Sequence, residues 1–413
     1  MASIADIIFF ILLFLSVYVQ VFFLVTFLEN RKKIIVRNEN IKLSQYPTVT
    51  IVVPCFNEEK TVSKTVDSLL NLNYPKDKIK ILLINDGSTD KTAEIINQFS
   101  RYPNIKIFHK ENGGKYTALN LGLEHLETDF FGGLDADSFV DSESLIRIMS
   151  CFEQDSSLMA VAPSLLVYNP KSIIQKVQKA EYNMGVYLKK MLGFLGAIHV
   201  APGPLTIFRS RVFKELGPYR HAHNTEDMEI AYRMQKNHYK IAQCNDACVY
   251  TNTPTTIRKL YKQRLRWIYG FINNTLDYKN VLFRKKYGNF STFTMPAAII
   301  SIIAASYFFS KFVYSLGNFL YSKIIQYKIT GFDLVQTSNF NPFFVNIQSF
   351  VFITIFLFCV VIFSIIMGKK ITDNKFKFSL NMFYFPIIYS FLAPIWVMKA
   401  IYNTILSRSP DWR

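Results

Sequence analysis

Long apolar runs at both ends of the chain, with a polar middle between them, constrain the fold most strongly. The first run extends from Ile4 to Leu28, and Asp6 is the one charged residue within it. A helix over this run is long enough to cross a hydrocarbon core of about 30 Å. The run is longer than the apolar core of a signal peptide, and no small-residue cleavage pattern follows it. The sequence therefore predicts a transmembrane helix in residues 1–30.

Basic residues beside this first run predict its orientation. Arg31, Lys32 and Lys33 follow it directly. Positively charged flanks of membrane helices stay in the cytoplasm. We therefore expect the N-terminus outside the cell and the polar middle, residues 38–288, in the cytoplasm.

The apolar character returns in a C-terminal region, residues 290–413. Two runs, Thr294 to Leu320 and Asn346 to Met367, are long enough to predict full spans. A further run, Phe383 to Ile405, contains two prolines and is typical either of a span or of a broken, re-entrant helix. The sequence therefore predicts two to three C-terminal spans.

The overall composition agrees with a membrane protein. Hydrophobic residues make up 50% of the chain and charged residues 19%, which excludes a disordered or collagen-like chain. The formal net charge of +17 suits contact with the cytoplasmic leaflet or with an anionic substrate. The basic residues are dispersed rather than gathered in a tract, so nucleic acid is not an expected partner. The five scattered cysteines indicate reduced thiols rather than a disulfide framework or a zinc site.

The first half of the polar middle alternates between strand-like and helix-like segments. Four short apolar segments are typical of strands: Val49 to Val53, Ile79 to Ile84, Ile105 to Phe108, and Phe130 to Leu134. This alternation predicts an α/β domain with a mostly parallel sheet. Ligands of such sheets bind beyond the carboxyl ends of the strands. Polar loops follow these strands, and we expect the functional site there.

Carboxylates follow two of the predicted strands. Asp86 comes after the second strand, and Asp135 and Asp137 come after the fourth. The P-loop and dinucleotide-binding glycine patterns are missing from the sequence, which disfavours ATP-type and dinucleotide-type sites. Two carboxylates at this spacing can share Mg2+ or Mn2+, which would in turn hold a diphosphate. The alternative for this pair taken alone is a solvated loop.

The triplet Thr225-Glu226-Asp227 precedes a predicted helix, Met228 to Gln235. Taken alone, it suits an ordinary helix start, because Thr can cap the first turn and acids stabilise the positive end of the helix. Its three polar side chains are equally suited to a catalytic site, and both interpretations stay open at this point.

A basic amphipathic segment, Thr256 to Phe271, contains the run Gln263-Arg264-Leu265-Arg266-Trp267. In a helix, Gln263, Arg266 and Trp267 project to one side. Guanidinium and amide groups on one patch suit a phosphate, and an indole offers a flat apolar surface. The alternative is a helix lying on the membrane surface, and the two interpretations are compatible.

Taken in order, these motifs resemble the signature of an enzyme family. Asp86, Asp135-Ala136-Asp137, Thr225-Glu226-Asp227 and Gln263-Arg264-Leu265-Arg266-Trp267 follow one another between the predicted membrane spans. This order resembles the D, DxD, TED and QxxRW motifs of the processive family 2 glycosyltransferases, which include cellulose, chitin, hyaluronan and poly-N-acetylglucosamine synthases. The resemblance covers residues 47–277. It implies a cytoplasmic domain of the glycosyltransferase-A type, flanked by transmembrane α-helices, a UDP-sugar donor, and Mg2+ or Mn2+ as cofactor.

The resemblance also implies a role for individual residues. Asp227 would be the general base, and Asp135 and Asp137 would hold the metal ion. The implied donor-binding residues are Phe56, Glu58, Asp86, Lys115, Asp135, Gln263, Arg264 and Arg266. The implied acceptor-binding residues are Trp267, Gly203, Pro204 and Glu226.

The function implied by this resemblance is an inverting transferase of the plasma membrane. It would use a UDP-sugar of the glucose or N-acetylglucosamine type to elongate a β-linked polysaccharide and feed it across the bilayer. The partners would be the donor, a growing glycan or lipid acceptor, the bilayer, and an accessory export subunit if the spans alone form no pore. Two alternatives stay open: a non-processive glycolipid synthase with a lipid acceptor, and an inactive transport or scaffold protein.

Overall fold

The computed structural model describes residues 4–34, 41–330, 349–373, 379 and 381–410. Parts of the predicted segments lie outside these ranges. They are residues 1–3 of the first segment, 38–40 of the polar middle, and 331–348, 374–378, 380 and 411–413 of the C-terminal region, which include 346–348 of the third span.

Helices and strands are numbered here in chain order. The first half of the chain contains α1 (Ile4–Asn30), β1 (Val49–Cys55), α2 (Val62–Leu70), β2 (Ile79–Asp86), α3 (Thr92–Asn97), β3 (Ile105–Lys110), α4 (Lys115–Glu124), β4 (Phe130–Gly133), β5 (Ser138–Val140), α5 (Ser144–Gln154), β6 (Leu158–Val167) and α6 (Ile173–Phe194). The second half contains β7 (Ile207–Arg209), α7 (Arg211–Leu216), α8 (Glu226–Lys236), β8 (Lys240–Thr251), α9 (Ile257–Asp277), α10 (Met295–Thr330), α11 (Ser349–Asp373) and α12 (Asn381–Ile405).

Strands β1 to β8 form one sheet in the order β3-β2-β1-β4-β7-β6-β8-β5. The pairs β2–β3, β1–β2, β1–β4 and β6–β8 are parallel, while β7 runs antiparallel to β4 and β6, and β5 antiparallel to β8. The predicted α/β fold with a mostly parallel sheet is therefore confirmed. The four predicted strands correspond to β1 to β4, and the sequence patterns did not reveal β5 to β8.

Both faces of the sheet are buried, which explains the continuous apolar strands. Successive residues of β1 point to opposite faces, so Ile51 and Val53 join one hydrophobic cluster while Val52 joins the other. Because helices cover both faces, the polar loops are left at the strand ends. This arrangement places the predicted carboxylates along one edge of the sheet.

Four helices within the described ranges are long and apolar enough to cross a membrane. They are α1, the helical stretch that contains α10, then α11 and α12. Helix α12 is continuous although it contains Pro386 and Pro394, so the run that the sequence left open is a fourth helix of spanning length. The chain is therefore a membrane protein.

The membrane helices pack directly on the α/β domain. Trp396, Val397 and Ala400 of α12 share a hydrophobic cluster with Leu265 and Tyr269 of α9. Helix α11 approaches α6 very closely at Gly368. A Cβ added at this residue would lie only 1.7 Å from a backbone oxygen of α6, so the approach requires glycine. As a result, α6 and α9 lie between the sheet and the spans and form a wall common to both.

Candidate active site

A cavity of about 1560 Å³ opens at the carboxyl ends of the strands and extends to α1 and α10. Thirteen of the fourteen predicted site residues line it: Phe56, Glu58, Asp86, Lys115, Asp135, Asp137, Gly203, Pro204, Glu226, Asp227, Gln263, Arg266 and Trp267. The fold therefore brings together side chains that are widely separated in sequence. Arg264 is the predicted residue that does not line the cavity.

Asp86, the last residue of β2, holds a glycine turn in place. Its carboxylate accepts hydrogen bonds from the backbone N–H groups of Gly113 and Gly114, each at 3.0 Å, and from Lys110 Nζ at 2.5 Å. Gly114 has a φ of +87°, a conformation that glycine adopts without strain. Asp86 thus fixes the turn that starts α4 and presents Lys115, while its expected contact with the donor stays a prediction.

Lys115 bridges two of the predicted motifs. Its Nζ lies 2.5 Å from Asp135 Oδ1 and 3.2 Å from Glu226 Oε1. Burial opposes the charge of Lys115, but the carboxylates of Asp135, Glu226 and Asp227 outweigh it and raise the lysine pKa. A Cβ at Gly203 would lie 2.5 Å from Lys115 Nζ, so a side chain at this position would displace the lysine from its carboxylate partners. The predicted role of Glu226 at the acceptor stays a prediction.

Three carboxylates meet near Asp137. Burial, followed by repulsion from Asp135 and Glu58, raises the pKa of Asp137 to about 7. Hard carboxylate oxygens that repel one another in this way fit a divalent cation, which would relieve the repulsion. In the described part of the chain, no group of three or more His, Cys, Asp or Glu side chains forms a complete metal site.

Asp227 lies in the first turn of α8. Burial, followed by the neighbouring Glu226, raises the pKa of Asp227 to about 6, although Lys115 and Arg266 lower it. Among the described residues, no hydrogen bond or ion pair engages its carboxylate. A carboxylate with free lone pairs and a pKa close to neutrality is suited to accept a proton from a substrate hydroxyl.

Thr225 occupies the N-cap position of α8 and the acids lie in the first turn, as the helix-start interpretation expects, but the Thr225 hydroxyl makes no capping hydrogen bond. Its hydroxyl donates to Ala222 O at 2.9 Å and accepts from Asn274 Nδ2 of α9 at 2.8 Å. Helix α9 approaches at Gly270, where a Cβ would lie 2.2 Å from Thr225 Oγ1. The two helices that carry Asp227 and Arg266 are therefore fixed against each other at Thr225.

The two arginines of α9 have different environments. Arg266 lines the cavity, and its Nη1 donates to Asn224 O at 3.1 Å. Arg264 points away from the cavity and forms two hydrogen bonds with Glu181 of α6, at 3.0 and 2.5 Å. Residues two positions apart on a helix project to nearly opposite sides, which explains this difference. The position of Arg264 outside the cavity lining does not support its predicted contact with the donor.

Arg264 instead supports the predicted acceptor tryptophan. Its guanidinium lies 4.1 Å from the ring centroid of Trp267. Its partner Glu181 also accepts a hydrogen bond of 2.6 Å from Tyr389 of α12. Burial opposes the charge of Arg264, yet the nearby Glu181 carboxylate raises its pKa. Glu181 of α6 thus contacts both the membrane helix α12, through Tyr389, and Arg264, and Arg264 in turn contacts Trp267.

The motif analysis missed the contribution of α6 to the cavity. The helix lines it with Glu181, Tyr182, Gly185, Leu188 and Lys189, a spacing of three and four residues. Helical periodicity in residues 171–195 was a signal for this face, although it did not distinguish a cavity wall from a membrane-surface helix. His199 and Thr294 also line the cavity and belong to none of the motifs.

Comparison with known proteins finds a family match within the α/β domain. Residues 50–217 match the family model for glycosyl transferase family 2. Poly-beta-1,6-N-acetyl-D-glucosamine synthase of Staphylococcus epidermidis is 28% identical over 350 residues, which cover 82% of this chain and 83% of that protein. The synthase of the same name from Staphylococcus aureus strain COL is 29% identical over 266 residues, covering 63% of this chain and 64% of that protein.

A solved structure supports the fold. A mannosyltransferase from Pyrobaculum calidifontis, in complex with GDP-Man and Mn2+, superimposes with a TM-score of 0.53 at 15% identity. The match covers 96% of this chain and 99% of that one. At this identity the likeness concerns the fold, which is of the glycosyltransferase-A type. Residues 50–217 of the chain are therefore similar to glycosyl transferase family 2 in sequence, within a fold of the glycosyltransferase-A type.

Proposed function

We propose that this enzyme is a processive, inverting N-acetylglucosaminyltransferase of the plasma membrane. It would use UDP-N-acetylglucosamine to elongate a β-linked polysaccharide and pass the product across the bilayer. The proposal rests on one observation above all: a single cavity contains the carboxylates, Arg266 and Trp267, and continues to the membrane helices α1 and α10. The names of the staphylococcal relatives support N-acetylglucosamine rather than glucose as the transferred sugar.

The chemistry requires a base for the acceptor. A sugar hydroxyl is a weak nucleophile, so Asp227 would accept its proton as the hydroxyl attacks the anomeric carbon. General-base catalysis of this kind contributes about 10²–10⁴ in rate. A single base on the face opposite the leaving group gives inversion, and an α-linked donor then yields a β-linkage. No second carboxylate is required as a covalent nucleophile, unlike in retaining glycosidases.

The leaving diphosphate needs positive charge. Arg266 lines the cavity beside Gln263, and both would bind the diphosphate of the donor. Asp135 and Asp137 are the residues that would hold Mg2+ or Mn2+, and Phe56, Glu58 and Asp86 border the same region for the nucleoside. When bound, the cation would neutralise charge that develops on the leaving group. Lys115 would keep Asp135 oriented through their ion pair.

The acceptor side would be organised around Trp267. A sugar ring presents an apolar face, which would stack on the indole, and the Arg264 guanidinium behind the indole holds the ring in place. Gly203 and Pro204 border this region and would complete the acceptor pocket.

The proposed topology places the catalytic domain, residues 38–288, in the cytoplasm. The basic residues that follow α1, and Lys369 and Lys370 in the last turns of α11, would lie at the cytoplasmic face. The bilayer itself would be a partner, and an accessory subunit would complete the export path if the spans of this chain do not form a pore.

Donor turnover tests the proposal most directly. Purified full-length protein would be incubated with UDP-N-acetylglucosamine or UDP-glucose and with Mg2+ or Mn2+, and UDP release would be measured. We expect release from UDP-N-acetylglucosamine, together with a long product that a β-N-acetylglucosaminidase degrades. Absence of UDP release from every common UDP-sugar would contradict the proposal.

A glycolipid synthase is the second candidate, and one observation favours it. Val19 and Phe23 of α1 and Ala297 and Ala298 of α10 give the cavity an apolar side at the membrane, where a lipid acceptor could lie. A product of one or two sugars on a lipid would support this function over polymer synthesis, so product size separates the two.

A further inference from the structure

Two cysteines outside the cavity lining, Cys151 and Cys244, meet where helix α5 packs on strand β8. Cys151 lies in the last turn of α5 and is partly exposed, whereas Cys244 is 3% exposed. Both side chains pack in the same hydrophobic cluster, and both are free thiols. The mechanism proposed above uses neither of them.

A row of contacts along α5 explains why the two cysteines meet. Ser144 Oγ donates to a backbone oxygen of β8 at 2.8 Å, and Arg147 Nη1 donates to the backbone oxygen of Asp246, two residues nearer to the start of β8, at 2.6 Å. Cys151 follows Arg147 by four residues and therefore lies on the same face of α5. Since α5 runs against the direction of β8, the next position that it reaches is Cys244. The thiols of Cys151 and Cys244 accordingly form a hydrogen bond with each other.

The surroundings give the two thiols opposite tendencies to ionise. The hydrogen bond with Cys244, and to a smaller extent the nearby Lys190 of α6, lower the pKa of Cys151, against burial and the charge of Asp246. The same hydrogen bond, together with burial, raises the pKa of Cys244. The Cys244 thiol also lies 3.4 Å from Asp246 Oδ1, a second acceptor for its proton. Cys151 is therefore the thiol that ionises first, and Cys244 stays protonated beside it.

Cys55 shows what an unreactive core thiol looks like in the same domain. It is fully buried in β1, and burial raises its pKa, so it stays protonated. Cys151 differs in the features that make a thiol sensitive to oxidation: it is partly exposed, a lysine is close to it, and a second thiol is in contact with it. A thiolate beside a resolving thiol is the arrangement that forms a reversible disulfide.

We propose that Cys151 and Cys244 are a peroxide-sensitive thiol pair, which a hydroperoxide converts into one reversible disulfide between α5 and β8. With hydrogen peroxide, the Cys151 thiolate attacks one oxygen, the O–O bond breaks, and Cys151 becomes a sulfenic acid as hydroxide leaves. The Cys244 sulfur then attacks the Cys151 sulfur, so that an S–S bond forms and the S–O bond breaks. The departing hydroxide and the proton of Cys244 give water. In total, two thiols and one hydrogen peroxide give one disulfide and two molecules of water.

The pair lies on two elements that flank the carboxylates of the cavity. Helix α5 follows Asp137 through the short strand β5, and β8 leads directly into Asn252. The backbone N–H and Nδ2 of Asn252 donate to the backbone oxygen of Asp137 at 3.4 and 3.3 Å. Oxidation would therefore cross-link the two elements that support this loop, without changing a residue that lines the cavity.

Mass spectrometry of the full-length protein tests the pair. Purified protein would be treated with hydrogen peroxide, the remaining thiols blocked with iodoacetamide, and the protein digested without reduction. We expect a peptide pair that joins Cys151 to Cys244 and that disappears after treatment with dithiothreitol. Because the disulfide closes a long loop of the unfolded chain, the oxidised protein should also have a Tm that is higher by about 5 °C.

Variants separate the two steps of the reaction. Cys244→Ser removes the resolving thiol, so Cys151 should stop at the sulfenic acid, which dimedone traps. Cys151→Ser should leave Cys244 unoxidised. Cys359→Ser, a matched change at a cysteine of α11, should form the disulfide like the unaltered protein.

The lysine provides a second, independent comparison. Lys190→Met removes the cation beside the thiolate and should slow formation of the disulfide by about threefold. Lys179→Met changes an exposed lysine further towards the start of α6 and should leave this rate unchanged. An equal rate in the Lys190 variant and the Lys179 variant would contradict the assignment of Cys151 as the attacking thiolate.

Two results would overturn the pair itself: no peptide joining Cys151 to Cys244 after peroxide treatment, or oxidation of Cys55 and Cys248 as fast as that of the pair. The spectrum of the unaltered protein decides this even where a substitution prevents folding. Neither measurement uses a UDP-sugar, so failure of the proposed function and failure of the thiol pair are distinguishable.

Discussion

The donor side and the membrane side of the cavity differ in how their polar groups are satisfied. On the donor side, Asp86 receives three hydrogen bonds from the glycine turn and Lys110, and Lys115 pairs with Asp135 and Glu226. On the membrane side, Thr294 Oγ1 and His199 Nδ1 have no partner among the residues that the structure describes. One side is held in place by its own ion pairs, whereas the other leaves single polar atoms on an apolar wall.

This difference suggests a division of labour. A diphosphate and a cation need fixed charges in a fixed geometry, and internal ion pairs provide that preorganisation. A glycan that advances after each transfer needs contacts that are individually weak and mostly neutral. Asp227 lies between the donor side and the membrane side of the cavity. Its charged neighbours belong to the donor side, and its carboxylate has no hydrogen bond or ion pair among the described residues. Variants should therefore separate into those that affect the donor and those that affect the acceptor.

The largest effect is expected at this border. Asp227→Asn removes the base but keeps the size of the side chain, so the turnover number should fall by about 10²–10⁴ while the Kd for UDP-N-acetylglucosamine stays almost unchanged. Single-turnover rates and donor titration measure the two quantities. Normal turnover in this variant would show that another group accepts the proton. Loss of donor binding would show that the two sides are not separable.

The next effect distinguishes the two arginines of α9. Arg264→Met removes the cation behind Trp267, so the KM for the acceptor should rise about tenfold while the KM for the donor is retained. Arg266→Met should show the reverse pattern. Trp267→Ala should resemble Arg264→Met, with a larger loss of acceptor use than of donor binding. Equal loss of donor and acceptor in the Arg264 and Trp267 variants would contradict an acceptor role for this pair.

Stability measurements provide a control for the same pair. Removing one partner of a buried ion pair leaves the other uncompensated, at a cost of about 3–5 kcal/mol, so Arg264→Met should lower the Tm. Adding Glu181→Met should recover most of the Tm, because neither charge then remains. The acceptor KM should stay high in the double variant. Recovery of both quantities would mean that the kinetic effect came from instability alone.

The parts of the site that the sequence predicted are those on β-α loops. Asp86, Asp135 and Asp137 follow apolar strands of a parallel sheet, and the rule that strand ends converge on one edge is sufficient to group them. Helical spacing already placed Arg266 with Gln263 and Trp267 on one side of the helix, but the resemblance gave both arginines the same role. The partner of Arg264, Glu181 on another helix, could not be read from that spacing. Strands β5 to β8 were likewise set by pairing with distant segments, which short sequence windows do not contain.

Sequence patterns could not predict the polar residues that line the membrane side of the cavity. Lys189, His199 and Thr294 are separated by long stretches and share no spacing rule, yet all three line one cavity. The apolar runs did predict the spans, including the run with two prolines as an open case. An isolated lysine or threonine in such a region carries no signal until tertiary packing shows that it faces a cavity.

The acidic limb of the pH profile should show an effect of about tenfold for each pH unit. The pKa of Asp227 is raised to about 6, and the carboxyl must lose its proton to act as base. Activity is therefore full well above pH 6, and kcat/KM should fall as pH decreases through that value. Saturating Mg2+ or Mn2+ is needed in the assay, because protonation of Asp137, whose pKa is about 7, would weaken cation binding. A profile that stays flat to pH 5 would contradict Asp227 as the base.

The smallest effect is expected at Thr225, where α8 and α9 meet. Thr225→Val removes a hydroxyl that bonds to Ala222 O and to Asn274. Loss of about 1 kcal/mol of positioning energy predicts a turnover number about fivefold lower, with an unchanged donor KM, because the base is displaced and the donor ligands are not. Thr225→Ser keeps the hydroxyl and should turn over normally. If the donor KM rose together with the loss of turnover, the α8–α9 contact would support the diphosphate site through Arg266. Asp227 would then belong to the donor side of the cavity.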